Sequence, residues 1–305
     1  MLDELLCSLL WKQLQSIGLF TEQTSVISEL KTKTGLLGLY DRWFDETIAV
    51  LERNNYLKFD GKSYTIIDTK YKDTDTVWKE WDRKKDEWLE GPEMKGPVVL
   101  VETTLRALPE ILRGKVPATD IIFPDSSMRL VEGIYKNNVM QDYFNQVLAN
   151  IVVAYIKDRL AKDSSAHIRI IEIGAGTGGT SAMVFQNLRP YQDYIEEYCY
   201  TDISKAFFIH AEKEYGPQNP YLTYNIFNVE VPVTEQGISA GRFDIAIASN
   251  VLHATKNIRQ TLRNTKAALR KNGLILLNEI SCNSLFAHLT FGLLEGWWLY
   301  EDAGL

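Results

Sequence analysis

Ile170-Ile-Glu-Ile-Gly-Ala-Gly-Thr-Gly-Gly-Thr180, the stretch IIEIGAGTGGT, decides the fold of this chain. The β-branched run leading into it, His167-Ile-Arg-Ile-Ile-Glu-Ile173, has the composition of a strand covered on both faces. Gly174, Gly176 and Gly178 follow without a gap. Lacking a Cβ, glycine lets the backbone turn sharply and come close to a ligand, while the next helix offers its N-terminal amides. The stretch therefore reads as the first strand and first turn of a nucleoside-binding α/β domain.

The spacing narrows the ligand class. A dinucleotide fold favours GxGxxG with a pyrophosphate on the helix end, whereas here Gly179-Thr180 stands at that point and Glu172 precedes the first glycine by two residues. An acid placed there suits a cationic ligand. The pattern E-x-G-x-G-x-G resembles the first motif of class I S-adenosylmethionine-dependent methyltransferases, where the loop wraps the amino-acid part of the cofactor.

A chain of 305 residues, 45% hydrophobic and 24% charged, holds one large or two ordinary domains of a globular protein. Met1 to Phe20 carries acids and Lys12 at helical spacing and no small-residue cleavage site, so it does not read as a signal peptide. No apolar run is long enough to span a bilayer. Cys7, Cys199 and Cys282 are far apart and odd in number, which suggests neither a disulfide framework nor a zinc site and fits a cytoplasmic location. A net charge of −7 argues against sequence-independent nucleic-acid binding.

Upstream, Leu2 to Leu19 has apolar residues at helical spacing, a short helix is expected over Ser25 to Lys31, and a third from Leu36 to Asn54. Asp60-Gly61 between Tyr56-Leu-Lys-Phe59 and Lys62-Ser-Tyr-Thr-Ile-Ile67 signals a hairpin. Three helices and a hairpin suit a winged helix, or more simply a helical packing domain, which the acidic balance favours. Lys70 to Glu90 is a charged helix whose Trp78, Trp81 and Trp88 serve packing. Gly96-Pro97 should break the chain, with a helix from Val98 to Leu112 kinked at Pro109. Gly114 to Ser127 reads as a loop whose Ile121, Ile122 and Phe123 either pin it under the domain or line a cavity, and a helix should begin near Met128. The domain boundary is placed at 138/139.

Downstream, Ile195 to Thr201 is a second strand ending at Asp202, an acid positioned to accept both ribose hydroxyls from the carboxyl edge of a parallel sheet. Tyr221 to Phe227 is a third strand, ending at Asn228, which could meet an adenine amino group. Phe243 to Ala248 is a fourth, followed by Ser-Asn250-Val-Leu-His253; after a helix from Ile258 to Arg270, Leu274 to Asn278 is a fifth, ending at Glu279. The cofactor contacts expected are Glu172, Gly174, Gly176, Gly178, Asp202, Ile203, Asn228 and Asn250. In the methyltransferase sheet the fourth and fifth strands are neighbours, about 5 Å apart, so His253 and Glu279 can face each other. A carboxylate on one ring nitrogen fixes the tautomer and raises the basicity of the other, giving a general base. His167, His210 and His288 are weaker candidates, and no metal-ligand spacing is present.

The segments EIGAGTGGT (172–180), YTDIS (200–204) with Phe207, Phe208 and Ala211, NVLHAT (250–255) and GLILLNE (273–279) together resemble the C-methyltransferase domains of polyketide synthases. Thr119 to Asn138 (TDIIFPDSSMRLVEGIYKNN) is similar to their junction between lid and core. The resemblance implies a Rossmann-like class I methyltransferase core at 139–305 beneath a mostly helical N-terminal lid at 1–138. It also implies S-adenosylmethionine as methyl donor, His253 and Glu279 as catalytic dyad, and a β-ketoacyl chain tethered by phosphopantetheine to an acyl carrier protein, with neighbouring synthase domains as partners. Neither nucleic acid nor membrane is expected as a partner. Arg106, Arg113 and Lys115 are candidate contacts for the phosphopantetheine phosphate. The same motifs also suit an O-methyltransferase of such assembly lines, a loading-unit enzyme methylating malonyl groups with a metal near His253, or a degenerate module without activity. One departure stands out: class I methyltransferases usually finish with an antiparallel hairpin, whereas here one apolar helix, Leu285 to Tyr300, follows the fifth strand. If the chain is an excised piece, Trp297, Trp298 and Leu299 should be exposed.

Overall fold

The computed structural model describes residues 2–67, 73–127, 129–135, 139–280 and 284–302. The chain divides into two compact units, one of residues 1–134 with 282–298, the other of residues 135–281 with 299–305. The division falls at 134/135, and residues 282–298 group with the first unit.

The first unit begins with helix α1 (Leu2–Ser16), whose face of leucines and Trp11 is buried. Strand β1 (Thr24–Val26) lies where a helix was expected to begin, and helix α2 starts only at Ile27 (Ile27–Thr34). Helix α3 (Asp41–Arg53) then leads into β2 (Leu57–Phe59) and β3 (Ser63–Ile66). The hairpin forms at Asp60-Gly61: the Asp60 carboxylate accepts from the Ser63 and Lys62 amides at 2.6 and 2.9 Å, and Gly61 takes φ of +94°. With β1 added, the antiparallel sheet has the order β1-β3-β2.

Helix α4 (Thr74–Leu89) buries Trp81 edge-on against Trp78 and Trp88, which makes these tryptophans packing residues. Helix α5 (Pro92–Leu112) continues through Pro97 and Pro109, so the expected break at Gly96-Pro97 does not occur. Pro109 cannot donate to the Leu105 carbonyl one turn earlier. The buried Gln13 amide donates to that carbonyl instead, at 2.5 Å, so a side chain 92 residues away replaces the missing donor. Helix α6 (Ala118–Ile122) occupies the expected loop and buries Ile122. Helix α7 spans Arg129–Tyr135; Met128 lies outside the described residues.

The C-terminal apolar segment is not one helix. It is a five-residue helix, Leu285–Leu289, followed by short 3-10 turns at Phe291–Leu293 and Glu295–Trp298. Gly292 and Gly296 weaken any continuous helix there. The segment packs on α3: the His288 ring stacks on Trp43 at 4.9 Å and bonds Thr47 Oγ1 at 2.8 Å, while the Trp43 indole donates to the His288 carbonyl at 2.9 Å. Burial pushes His288 down to about 3, so it is a neutral packing group. Of the three residues expected to be exposed, Leu299 is, whereas Trp297 and Trp298 are half-buried and the Trp298 indole donates to the Gly292 carbonyl at 2.7 Å.

The second unit is a parallel five-stranded sheet of β4 (Ile168–Ile173), β5 (Ile195–Asp202), β6 (Leu222–Ile226), β7 (Phe243–Ser249) and β8 (Leu269–Asn278). Its order is β6-β5-β4-β7-β8, and among the described residues it carries no antiparallel strand. Strand β8 begins five residues earlier than the sequence suggests and is interrupted, its register jumping from Leu269 opposite Phe243 to Leu274 opposite Ile245. Asn272, at φ +62°, makes the bend. Helices α8 (Val139–Lys162), α9 (Gly179–Leu188) and α10 (Ala206–Glu214) contribute to one core with Ile170 and Ile245. Helix α11 (Ile258–Ala268) contributes to the other, with Ile171 and Ile173. Among the described residues no helix is long and apolar enough to cross a membrane.

Candidate active site

Parallel strands open the second unit at one edge, and the turns leaving β4, β5 and β7 meet there. The glycine turn after β4 holds Gly174, Gly176 and Gly178 at φ of +61°, +55° and +78°, a region that L side chains rarely adopt. Their surroundings differ. A Cβ on Gly174 would collide with the Val251 methyls, and one on Gly178 would come within 2.5 Å of the Tyr215 ring. A Cβ on Gly176 would find only the Gly174 carbonyl, at 3.9 Å. Two of the glycines therefore answer to packing within the protein, and the middle one faces open space.

The turn is held from β5 and from the end of α10. The Tyr200 hydroxyl donates to the Gly176 carbonyl at 2.8 Å, the Ala175 amide to the Thr201 carbonyl at 2.9 Å, and the Tyr215 hydroxyl reaches the Thr177 and Gly178 carbonyls at 3.3 Å. Asp202 accepts from the Gly176 amide at 3.1 Å and the Ser204 amide at 2.9 Å. Burial raises its pKa and those two amides partly offset the rise. This acid thus joins the glycine turn to the end of β5. The tyrosine hydroxyls were not legible in the sequence, since a tyrosine in a strand reads as core until the facing carbonyl is known.

Glu172 does not face the open side of the turn. It shares a face of β4 with Ile170, is 2% exposed, and accepts from the Ser181 and Tyr198 hydroxyls at 2.6 Å each. Burial pushes it up to about 7, against the pull of those hydroxyls. Because the folded pKa lies above the unfolded one, near 4.5, the folded state keeps a proton that the unfolded chain has released. Stability should therefore fall as pH rises between these values, by about 3 kcal/mol in total. Glu172→Gln removes the effect, so thermal denaturation of the two proteins should diverge in favour of the variant from about pH 5 to pH 8. A constant gap across that range would show that Glu172 is ionised throughout.

The remaining expected cofactor residues lie at the same edge. Ile203, next to Asp202, is 73% exposed. Asn228 caps its turn, its side-chain oxygen accepting from the Glu230 amide at 3.0 Å while Gln236 accepts from its backbone amide at 2.8 Å. Asn250 has φ of +54° and donates its amide to the Asn278 carbonyl at 2.8 Å, tying the ends of β7 and β8 together.

That tie brings His253 to Glu279. The His253 Nδ1 lies 2.7 Å from Glu279 Oε2, and the same carboxylate accepts from the Val251 amide at 3.0 and 3.2 Å and the Leu252 amide at 2.9 Å. Three donors from consecutive residues thus converge on one acid, fixing both the turn and the ring. The His253 side chain remains 16% exposed while Glu279 is 8% exposed, so the imidazole is the reachable member of the pair. A neutral imidazole held at Nδ1 by a carboxylate presents Nε2 as the basic atom.

The other charged candidates make bonds within the first unit. Arg106 bonds Glu102 at 2.9 Å and lies over Trp78, Arg113 donates to the Ile17 carbonyl at 3.0 Å, and Lys115 pairs with Glu110 at 3.0 Å, each engaged within the first unit. Among the described residues no three His, Cys, Asp or Glu side chains cluster as metal ligands.

Comparison with known proteins assigns the site to a family. A family model described as a methyltransferase domain matches residues 171–275. The chain is 58% identical over 304 residues to the polyketide synthase PksR of Bacillus subtilis, matching along 99% of its own length and spanning 12% of that protein. The crystal structure of the DszA carbon methyltransferase superposes with a TM-score of 0.90 at 35% identity, over 99% of this chain and 76% of that one. The CMeT domain of the citrinin polyketide synthase superposes with a TM-score of 0.78 at 25% identity, over 99% and 77%. The five-stranded parallel sheet and these relationships together establish that the chain belongs to the carbon methyltransferase domains of polyketide synthases, class I enzymes that depend on S-adenosylmethionine.

Proposed function

We propose that this chain methylates the α-carbon of a β-ketoacyl or related acyl thioester carried on the phosphopantetheine arm of an acyl carrier protein. The observation that carries the reading is the 2.7 Å bond between His253 Nδ1 and a Glu279 carboxylate already braced by two backbone amides. Gly174, Gly176 and Gly178 would hold the cofactor through their backbone, with Asp202, Ile203, Asn228 and Asn250 around the nucleoside. Open space at Gly176 fits such a ligand, and Glu172 bonds Ser181 in the helix that follows the turn. When bound, S-adenosylmethionine supplies an activated methyl group on a sulfonium.

The chain's own residues supply the proton chemistry. A proton between a ketone and a thioester is acidic because the resulting carbanion is delocalised over both carbonyls, so one modest base suffices. His253 Nε2 takes that proton, and Glu279 stabilises the imidazolium that forms. Rate then depends on holding the carbanion in reacting geometry with water kept away.

The test is incubation of the protein with S-adenosylmethionine and a panel of acyl carrier proteins bearing β-ketoacyl or β-hydroxyacyl chains, read by intact-protein mass. Gain of a methyl group on the β-ketoacyl chains, with one fewer exchangeable proton at the α-carbon, is the expected result. Methylation of the β-hydroxyacyl chains alone would point to oxygen as the acceptor and overturn the reading.

A further inference from the structure

Strand β6 lies at the edge of the parallel sheet, and its pairing with β5 ends where Asp202 stands opposite Ile226 and the Phe227 amide donates to the Asp202 carbonyl at 3.1 Å. Asn228 comes next, past that ladder, where the backbone of an edge strand has no strand to pair with. One side chain reaches both of its backbone groups. Gln236, eight residues on and half-buried, accepts from the Asn228 amide at 2.8 Å and donates to the Asn228 carbonyl at 2.8 Å and the Val231 carbonyl at 2.9 Å. The Val231 amide closes the turn on the Asn228 carbonyl at 3.0 Å, Asn264 Nδ2 donates to the Val229 carbonyl at 2.8 Å, and Glu230 accepts from the Lys256 amide at 2.7 Å. The turn after β6 is therefore held by the protein's own bonds, with Gln236 at its centre.

The same turn fixes the Asn228 side chain. Its Oδ1 accepts from the Glu230 amide at 3.0 Å, and among the described residues nothing accepts from its Nδ2, so what it offers a ligand is a donor. We propose that Gln236, which meets no ligand itself, is a positioning residue for nucleobase recognition: by holding both backbone groups of Asn228 it aims Nδ2 at a ring nitrogen of adenine. The inference rests on the proposed placement of the nucleoside beside Asn228. The adenine amino group is itself a donor and cannot receive Nδ2, whereas the ring nitrogens on either side of it, N1 and N7, are acceptors. Hydrogen bonds depend on direction, so an Asn228 released from Gln236 loses this bond although its side chain is still present.

Calorimetric titration of the whole protein with S-adenosylhomocysteine and with its 1-deaza and 7-deaza analogues, each lacking one of those ring nitrogens, reads the bond directly. The wild-type protein is expected to bind one of the two analogues about 5- to 10-fold more weakly than S-adenosylhomocysteine, whereas Asn228→Ala and Gln236→Leu should bind all three within about 2-fold of one another. Gln236→Glu keeps the acceptor for the Asn228 amide but loses the donors, so it carries the test if the leucine variant does not fold, and its discrimination should also fall. If the Gln236 variants weaken all three ligands equally and keep the wild-type discrimination, Gln236 only stabilises the fold, and the proposal fails while the nucleoside site survives. Equal binding of all three ligands by the wild type overturns the proposal as well. If, in addition, Asn228→Ala leaves the affinity for S-adenosylhomocysteine unchanged, the placement of the nucleoside at this turn falls with it.

Discussion

His253→Ala is expected to slow methyl transfer by about 100- to 10,000-fold, the range for removal of a positioned general base. That corresponds to about 3–5 kcal/mol of transition-state stabilisation. Affinity for S-adenosylmethionine should be nearly unchanged, because the glycine turn is braced by Tyr200, Asp202 and Tyr215 and none of these touches the histidine ring through a hydrogen bond. Folding should also survive: Glu279 keeps the Val251 and Leu252 amides when the imidazole is lost. Single-turnover methylation followed by mass, with calorimetric titration of the cofactor, checks both halves. Wild-type rates in the variant would assign proton removal to another group.

A second large effect separates the glycines. Gly176→Ala should weaken cofactor binding by at least about 10-fold, since its Cβ would project into the open space where the ligand backbone must come close. Its cost to folding should be only about 1–2 kcal/mol, the price of a side chain at φ +55° with nothing to strike but a carbonyl at 3.9 Å. Gly174→Ala should behave differently. Its Cβ would strike Val251, whose amide helps hold Glu279, so the clash passes to the dyad and adds about 1–3 kcal/mol to the conformational cost. Thermal denaturation and cofactor titration of the two variants should therefore give opposite rankings. Equal loss of stability with unchanged affinity in Gly176→Ala would remove the cofactor from that side of the turn.

Much of the second unit was legible because its signals are local. A β-branched run followed at once by glycines needs no partner to be read as a strand and turn, and four of the five parallel strands lie within one residue of their expected places. Strand β8 escaped because its first residues follow a helix without a break and its bend rests on Asn272 in a left-handed conformation. Glu172 was misjudged for a different reason. Alternation along β4 shows that residues 170 and 172 share a face, but not that this face turns toward α8 and α9. In the first unit, the replacement of a proline's missing donor by Gln13, and the return of His288 to Trp43 and Thr47, join residues 92 to 245 positions apart. No spacing rule reaches that far.

Taken alone, the sequence determined which chemical groups stand at the strand ends: three glycines, Asp202, His253 and Glu279, each identified by residue type and by the element just before it. Tertiary structure decided what those groups do to one another. Sheet order puts β7 beside β8, which turns two acid–base residues 26 positions apart into a 2.7 Å pair. It also puts β5 beside β4, which turns Tyr200 and Asp202 into supports for a glycine turn and gives Glu172 the Tyr198 hydroxyl as an inward partner. Hydrogen bonds act over a few ångströms and depend on direction, so such pairings become definite only once the strands have neighbours.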